Sequence, residues 1–411
     1  MVSKARAQET PHQGHVVEPD TASAKAKIDI GASAIGVATV AVPGVHDRTL
    51  AEGYLTQPML MGQLSSPRER LVANLTLNFE GITLDRGELN AGMYGEGYVD
   101  RRHPHTLFHE LTGTARFGGG YSRFSITAGK GFVPYGTDDP MSRPFVKYPV
   151  NHHLAQLLER AMFLSAVRSG PLSLEIAAFN GDEPQSPYDG PSVDHVGDSW
   201  AARLTGYLRG FEAQASIARV KSPEQPRGGG LDHRKLSTSV RYESVNRYLL
   251  AEWAQTRELD GSRTAFTFNS MLAEGSFTRN RVNVAIRAER TERPEEERLL
   301  NVFRTPRPHS DLSILGRTRW DVLSAAASRT YVTRRIGSFA PFVEIATQRP
   351  RAIVRPTLFE PEAFYGADRL WSFSGGVRFG FGMRHSRMGR YGAAVSHSME
   401  RNADHSTMDM E

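Results

Sequence analysis

Hydrophobic and polar residues alternate in short segments along most of the chain. Leu71, Leu75 and Phe79 share one face of an extended segment, and Asn74 and Thr76 share the other. Alternation with a period of two is typical of a β-strand with one apolar and one polar face. The same pattern recurs near residues 171–180, 234–244, 279–292 and 369–382. The chain is therefore predicted to be all-β.

The number and spacing of these segments indicate the architecture. In the repeating pattern, the first candidate strand lies at 53–64 and the last at 386–396, and 87–100 is one of those between them. Ile28 to Val42 is one further candidate. They predict about 16–18 strands, because bacterial barrels favour even numbers. Tight connections such as Arg209–Gly210 and Asp260–Gly261 alternate with long polar stretches. These stretches are 133–157, 181–197, 222–233, 293–310 and 348–368. Short turns at one end and long loops at the other indicate a transmembrane antiparallel β-barrel with long extracellular loops.

The polar faces distinguish this barrel from a soluble all-β protein, which is the alternative. Ser, Thr, Asn, Gly, Arg and Glu dominate them, as expected for a lumen lined by hydrogen-bonding side chains. The 411 residues include no cysteine, and the mean hydropathy is −0.42. The missing cysteines exclude disulfide scaffolds, iron–sulfur clusters and thiol nucleophiles. The sequence has no apolar run of the ~18 residues that a transmembrane helix needs. These features favour the bacterial outer membrane.

The apolar faces are expected to meet outer-membrane lipid and lipopolysaccharide. Aromatic residues near strand ends are predicted to anchor the barrel at the membrane interfaces. They are Tyr54, Trp200, Tyr207, Trp253, Trp320 and Trp371. Insertion would require the barrel-assembly machinery, and a homo-oligomer is compatible with the pattern.

The chain is predicted to divide into three regions. Residues 1–27 form a signal-peptide remnant and a flexible N-terminal segment, because Ala5–Arg6–Ala7 has the small-x-small pattern of a signal-peptidase site. Residues 28–396 form the barrel, and residues 397–411 form a flexible polar C-terminal tail.

Three stretches carry a resemblance to a known family: Glu52–Pro58, Gly95–Thr106 and Val146–Leu154. With them, the chain resembles a family of uncharacterised bacterial outer-membrane β-barrel proteins that are porin-like in architecture. The similarity runs from about residue 50 to Arg387–Gly392. The resemblance implies the fold and the location, and it implies no catalytic residue. The chain departs from many such barrels by continuing to a polar Glu411 instead of ending on an aromatic residue.

Arginines on the polar faces are the first candidates for a solute path. Rows of guanidinium groups in a pore bind anions. The candidates are Arg123, Arg203, Arg241, Arg281 and Arg378. Glutamates such as Glu175, Glu212 and Glu289 also fall on polar faces. Such mixed charges can form cross-strand ion pairs that fill or narrow the lumen, so strong selectivity is not expected.

The long stretch 133–157 is predicted to fold into the lumen as a constriction. It contains Lys147, His152 and His153, which are further pore candidates. Asn151 to Arg160 is predicted to form a short helix with its leucines on one face.

Two groups of histidines are candidates for metal binding. His103 and His105 point the same way in an extended chain and can converge with His109 or His152 on an ion, but Arg101 and Arg102 oppose a cation. A hydrogen-bonded loop anchor is the alternative. In the tail, residues that suit copper are His397, Met399, His405 and Met408. A solvated tail is the alternative there.

The sequence thus predicts a porin-like channel for passive diffusion of small hydrophilic solutes, anionic ones included. A non-conducting barrel that serves as a copper-binding or structural surface protein is the alternative. No enzyme is predicted, because the neighbouring His397 and Ser398 would face opposite sides of a strand. No cofactor is predicted. The net charge of +5 is spread along the chain, which argues against a nucleic-acid partner.

Overall fold

A computed structural model describes the parts of the chain in which the barrel lies. These are residues 25–45, 48–84, 105–137, 140–184, 186–223, 229–296, 314–333, 337–383 and 387–395. The candidate strand at 87–100 lies outside the described residues and stays a prediction.

The described chain consists mainly of β-strands. They are β1 (Lys27–Val45), β2 (Arg48–Ser65), β3 (Leu71–Asn78), β4 (Phe108–Gly119), β5 (Ser122–Gly131), β6 (Arg160–Ser169), β7 (Leu172–Phe179), β8 (Ser199–Leu208), β9 (Phe211–Val220), β10 (Asp232–Ser244), β11 (Arg247–Asp260), β12 (Arg263–Arg279), β13 (Val282–Glu296), β14 (Ile314–Arg329), β15 (Tyr331–Thr333), β16 (Gly337–Ala352) and β17 (Leu370–Gly382). Three single-turn helices are α1 (Glu80–Thr83), α2 (His152–Ala155) and α3 (Pro361–Tyr365). No helix in the described ranges is long and apolar enough to cross a bilayer.

The strands form one antiparallel sheet that closes on itself. Each strand pairs with its neighbours in sequence, and β1 also pairs with β17, from Gly31 opposite Gly382 to Val42 opposite Trp371. The short β15 continues β14 along the edge of β16, so the wall is a closed 16-strand barrel. Closure pairs every strand edge, which a sheet surrounded by lipid requires. The predicted barrel of about 16–18 strands is confirmed.

The alternation of side chains along each strand separates the two surfaces of the wall. On β7, Leu172, Leu174 and Ile176 are exposed on the outside, whereas Ser173 and Glu175 are buried on the inside. Exposed apolar residues facing outward form the belt that a membrane-spanning barrel presents to lipid. The polar faces predicted from the sequence are the ones that line the lumen.

The two rims differ in the length of their connections. The turns at Arg209–Gly210 and 280–281 are tight, and the longer connections 79–107, 132–159 and 180–198 lie at the opposite rim. These ends are called the short-turn rim and the loop rim below. The tight turn after Asp260 is on the loop rim, so it does not belong with Arg209–Gly210 as predicted.

Three predictions of local structure are corrected. The segment 387–395 contains a single 3₁₀ turn, Gly392–Ala394, and is not the strand predicted at 386–396. The helix predicted at Asn151–Arg160 is limited to α2. Among the predicted interface aromatics, Tyr54, Tyr207 and Trp320 turn inward, where Trp320 is 0% exposed and donates to Glu295 and Thr318. Period-two reasoning misplaced them because an aromatic ring with a polar group also suits a filled lumen.

Candidate functional site

The long connection between β5 and β6 lies inside the barrel, where wall carboxylates receive its backbone. The described part of this inward loop, residues 132–137 and 140–157, donates Val150 N–H to Glu289 Oε2 at 2.8 Å and Lys147 N–H to Glu344 Oε2 at 3.2 Å. The Asn151 amide donates to Glu252 Oε1 at 2.8 Å. An irregular segment inside a barrel leaves backbone groups without strand partners, and each costs free energy unless it is hydrogen-bonded. The wall carboxylates therefore hold the loop in a fixed position.

Wall arginines hold the same loop through its carbonyl oxygens. Arg203 donates to Gly136 O at 3.2 Å, Arg287 to Lys147 O at 3.0 Å and Arg378 to Pro144 O at 2.7 Å. Arg203 also forms a two-pronged pair with Glu175, its register partner on β7, at 2.7 and 2.8 Å. Arg203 and Arg378, which the sequence predicts as part of an anion-binding row, are thus engaged by the protein itself, as is Arg287.

Glycine permits the sharpest part of the inward loop. Gly136 has a φ of +69°, and a Cβ there would lie 1.6 Å from Ala155 O. Its N–H donates to Ser216 Oγ on β9 at 2.9 Å. A side chain at this position would separate the loop from the wall, because only glycine adopts this φ without strain and leaves room for the carbonyl.

A second segment, which follows β17, enters the lumen against β5–β9. We call residues 387–395 the C-terminal plug. Arg387 and Arg390 both contact Glu212 on β9, and the Arg390 bond measures 2.6 Å. Arg390 also lies 3.3 Å from Glu175. Wall and plug thus share an alternating network of buried arginines and glutamates.

The plug also makes neutral contacts along its length. Ala393 N–H donates to Ser125 Oγ at 2.8 Å, and Tyr207 donates to Ala394 O at 3.0 Å. The Tyr391 hydroxyl accepts the Phe132 N–H at 3.0 Å, which joins the plug to the inward loop.

An apolar patch on the inside of the wall matches the plug. Leu164 and Phe179 are fully buried although they face the lumen, and they belong to the hydrophobic cluster that includes Met388 and Tyr391 of the plug. Gly392 has a φ of +52°, and a Cβ there would lie 2.1 Å from Ser125 Oγ. An apolar surface on the lumen wall would be unfavourable if it faced water. Its presence therefore indicates that the plug covers this half of the lumen wall.

The other half of the lumen retains a small cleft of ≈ 20 Å³ between the inward loop and β13–β17. Its charged lining residues are Lys147, Arg287, Glu289 and Glu344. The wall adds neutral hydrogen-bonding groups, among them Ser372, Ser374 and Gln348. The cleft is therefore polar and carries both signs of charge.

The structure brings some predicted pore residues together and separates others. Lys147 lines the cleft, where its ammonium bonds to the Tyr54 hydroxyl. His152 lies in α2 with its Nδ1 3.0 Å from Pro149 O, and His153 lies in the same turn.

Three predicted arginines lie near the short-turn rim. Arg123 starts β5, at the end remote from the inward loop, and Arg241 bonds to Glu243 at 2.6 Å. Arg281 lies in the β12–β13 turn with a φ of +66° and is not on a wall face. None of the three reaches the cleft lining that the structure describes.

Histidines and carboxylates form a compact group beneath the loop rim. The His105, His109 and Glu159 ligand atoms lie within 4.8 Å of one another. His105 Nδ1 is 2.7 Å from Glu80, and His109 Nδ1 is 2.8 Å from Glu159. The Lys130 ammonium lies 3.5 Å from the Glu159 carboxylate. The ammonium group therefore already balances one of the negative charges that would be needed to bind a metal ion here.

The electrostatics of Glu159 follow from these neighbours. Burial disfavours its ionised form, but the hydrogen bond from His109 and the charges of His109, His105 and Lys130 outweigh it and lower the pKa of the carboxyl to about 2. Thr106 also donates its N–H to this carboxylate at 2.9 Å. The group thus anchors the start of β4 against the end of the inward loop. His103 and the tail residues His397, Met399, His405 and Met408 lie outside the described residues, so their metal binding stays a prediction.

Sequence reasoning missed the C-terminal plug and the roles of Glu212 and Glu344. The polar pattern of 386–396 resembled one more strand. The signal that was available is the pair Arg387 and Arg390, which places two cations three residues apart beyond the last wall strand.

Comparisons with known proteins agree with the barrel. No family model matches the chain, and no curated protein matches it in sequence. Among solved structures, an anion-selective porin from Comamonas acidovorans matches with a TM-score of 0.54 and 10% identity, covering 87% of this chain and 100% of that one. The outer membrane channel DcaP of Acinetobacter baumannii matches with a TM-score of 0.50 and 11% identity, covering 87% and 98%. The trimer form of in-vitro folded OmpT from Vibrio cholerae matches with a TM-score of 0.50 and 7% identity, covering 87% and 100%. The chain has a porin-like fold, and its closed, apolar-belted barrel belongs in the bacterial outer membrane.

Proposed function

We propose that the protein is a porin-like outer-membrane channel for passive diffusion of small hydrophilic solutes. The observation that carries the proposal is the polar cleft between the inward loop and β13–β17, inside a closed barrel. The plug and the inward loop both occupy the lumen, and the cleft that they leave has room for about one or two water molecules. The conducting path would be narrow.

The charges of the cleft argue for weak selectivity. Lys147 and Arg287 contribute positive charge, and Glu289 and Glu344 contribute negative charge. Ions of either sign would pass such a lining, because the fields of neighbouring opposite charges largely cancel. Anionic solutes are therefore accepted without a strong preference. No residue of the cleft forms a nucleophile–base pair of the kind that hydrolysis requires, so we propose transport without catalysis.

Planar-bilayer conductance of the refolded protein tests the proposal. We expect steady, small conductance with a reversal potential close to zero across a KCl gradient. Lys147→Gln should shift the reversal towards cation selectivity, since it removes one of two positive charges in the cleft. Lys27→Gln is the matched control, because Lys27 is 63% exposed and pairs with Asp29 far from the cleft. A silent bilayer from protein shown to be folded by heat-modifiable gel mobility would refute the channel and leave the non-conducting barrel.

The partners of such a channel follow from its place. We propose that the apolar belt contacts the lipid of the outer membrane, that the barrel-assembly machinery inserts it, and that a homo-oligomer is its assembled form. The OmpT trimer among the similar folds supports the last point.

A further inference from the structure

A group of arginines faces outward on three neighbouring strands near the loop rim. The outer arginine patch consists of Arg290 on β13, Arg317 and Arg319 on β14, and Arg349 and Arg351 on β16. On the other side of the barrel, outward positions near the same rim are apolar: Leu111, Phe163 and Trp200 are 43%, 49% and 44% exposed. Arg219, Arg234 and Arg257 form a second outward row at this rim on β9–β11, where Asp232 pairs with Arg219. Outward arginines are therefore confined to parts of the rim, and the outer arginine patch is one of them.

Carboxylates compensate only part of the patch. Arg290 pairs with Asp321 at 2.6 Å, Arg319 with Glu292 at 2.9 Å and Arg349 with Asp368 at 3.2 Å. The guanidinium groups of Arg317 and Arg351 have no hydrogen-bond or ion-pair partner within the part of the chain that the structure describes. Among the described residues, two cations of the patch thus have no carboxylate beside them.

The register places these cations close to a third. Arg319 and Arg351 are direct partners on β14 and β16. Arg317 precedes Arg319 by two residues and faces the same side. Like charges directly opposite each other in a sheet are destabilising. Within the described chain, Glu292 is the one carboxylate that pairs with this group of three, through Arg319, so a further anion would relieve the remaining repulsion.

Two tryptophans indicate the depth of the patch in the membrane. Trp371, which is 37% exposed, pairs with Thr347, one outward position below Arg349. Trp253 pairs with Met271 on the next strand, and Met271 pairs with Arg290, so the three residues form one row across the strands. Below the patch, Leu323 and Val343 are 51% and 62% exposed. Tryptophan marks the interface between acyl chains and headgroups, so the patch lies at headgroup level on the loop side.

We propose that the outer arginine patch binds the phosphate groups of lipids in the outer leaflet, with Arg317, Arg319 and Arg351 at its centre. Guanidinium forks bind phosphate oxygens in pairs, and a phosphate among the three groups replaces their repulsion with charge-assisted hydrogen bonds. The partner is a phosphorylated lipid and not a free anion, because the apolar belt directly below holds the acyl chains. The inference needs the barrel to lie in the membrane and is independent of conductance.

Native mass spectrometry of the folded protein in neutral detergent tests this. Bisphosphorylated lipid A is titrated against wild type, Arg317→Gln/Arg351→Gln and the control Arg247→Gln/Arg279→Gln. The control removes two outward arginines at the short-turn rim, at the start of β11 and the end of β12. We expect the affinity of the first double variant to fall ~10-fold or more, the size of one charge-assisted hydrogen bond. The control should bind like wild type, and lipid A without phosphates should bind all three proteins equally weakly.

A second measurement separates binding from a structural role. Without lipid, Arg351→Gln should melt no lower than wild type, because it relieves repulsion with Arg319. A lower melting temperature would mean that Arg351 is satisfied within the chain and would overturn the proposal. Equal affinity of the double variant and wild type would overturn it too. If inorganic phosphate binds as tightly as lipid A, the ligand of the patch is a free anion and not a lipid. If the double variant has a different number of subunits from wild type, the patch is a contact between subunits.

Discussion

Glu212 is expected to keep the C-terminal plug in the lumen. Its carboxylate accepts hydrogen bonds from Arg387 and Arg390, the two cations of the plug, and it is 6% exposed. Glu212→Gln keeps the shape of the side chain and removes its charge. The wall of β9 should be unaffected, because its ladder bonds are made by the backbone.

The size of the effect follows from the bonds that remain. Arg390 keeps Thr205 at 3.0 Å and the longer contact with Glu175 at 3.3 Å. Removing one partner of a buried ion pair costs ~3–5 kcal/mol, and we take the lower end because lumen water can solvate the freed arginines. About 3 kcal/mol changes the ratio of closed to open plug by ~100-fold or more. The change is local, so the melting of the barrel should differ little from wild type.

Cysteine labelling reads this opening directly, because the natural chain has no cysteine. Ala393 is 4% exposed within the plug, so Ala393→Cys should react slowly with a membrane-impermeant maleimide. Adding Glu212→Gln should accelerate labelling ~100-fold and raise single-channel conductance. Glu243→Gln is the matched control: Glu243 pairs with Arg241, but its side chain is 42% exposed. If labelling is equally fast with and without Glu212→Gln, these ion pairs do not hold the plug and the reasoning is wrong.

Two further predictions concern the inward loop and its base. Glu344→Gln should loosen the loop, because one carboxylate accepts both the Val146 and Lys147 N–H groups, and conductance noise should rise; unchanged noise would count against this anchor. Because the folded pKa of Glu159 is about 2, below its ordinary value, its stabilisation is complete above pH ~4.5 and disappears as the pH falls towards 2. The free energy of urea unfolding should therefore lose about 3 kcal/mol from this group over that range; Glu159→Gln should remove this part of the pH dependence, and the half-exposed Glu69→Gln should retain it.

The wall of this protein could be predicted from sequence because its physical rule is local. Leu172 and Leu174 are exposed on the outside of the barrel, whereas Ser173 and Glu175 are buried on the inside. This period of two is the same in an open strand and in a closed barrel. Trp320 keeps the period of two but places an aromatic ring on the inward face. Tyr365 of α3 packs against it there, with ring centroids 5.7 Å apart, and periodicity does not predict this contact because it spans a long connection.

The sequence predicts the inward loop at 133–157, but the C-terminal plug could not be predicted, for the same reason. Glu175 and Arg203 form a cross-strand pair that register makes foreseeable, and the prediction of ion pairs narrowing the lumen agrees with it. The third member, Arg390, comes from the other end of the sequence. Its position depends on where the chain turns after β17, and no periodicity encodes that turn.

The lumen charges are explained by the irregular segments that they hold. A wall facing only water could be lined by serine and threonine, but the inward loop and the plug bring backbone groups that strands cannot pair. Glu289 and Glu344 meet loop N–H groups, and Arg203 and Arg378 meet loop carbonyls, so both signs are needed at the same depth. The mixed lining of the cleft is thus a consequence of holding the loop, and weak ion selectivity follows from the fold itself. Among wall residues, selectivity should change only with substitutions that free a charge from the loop, because an engaged charge has little left to offer a passing ion.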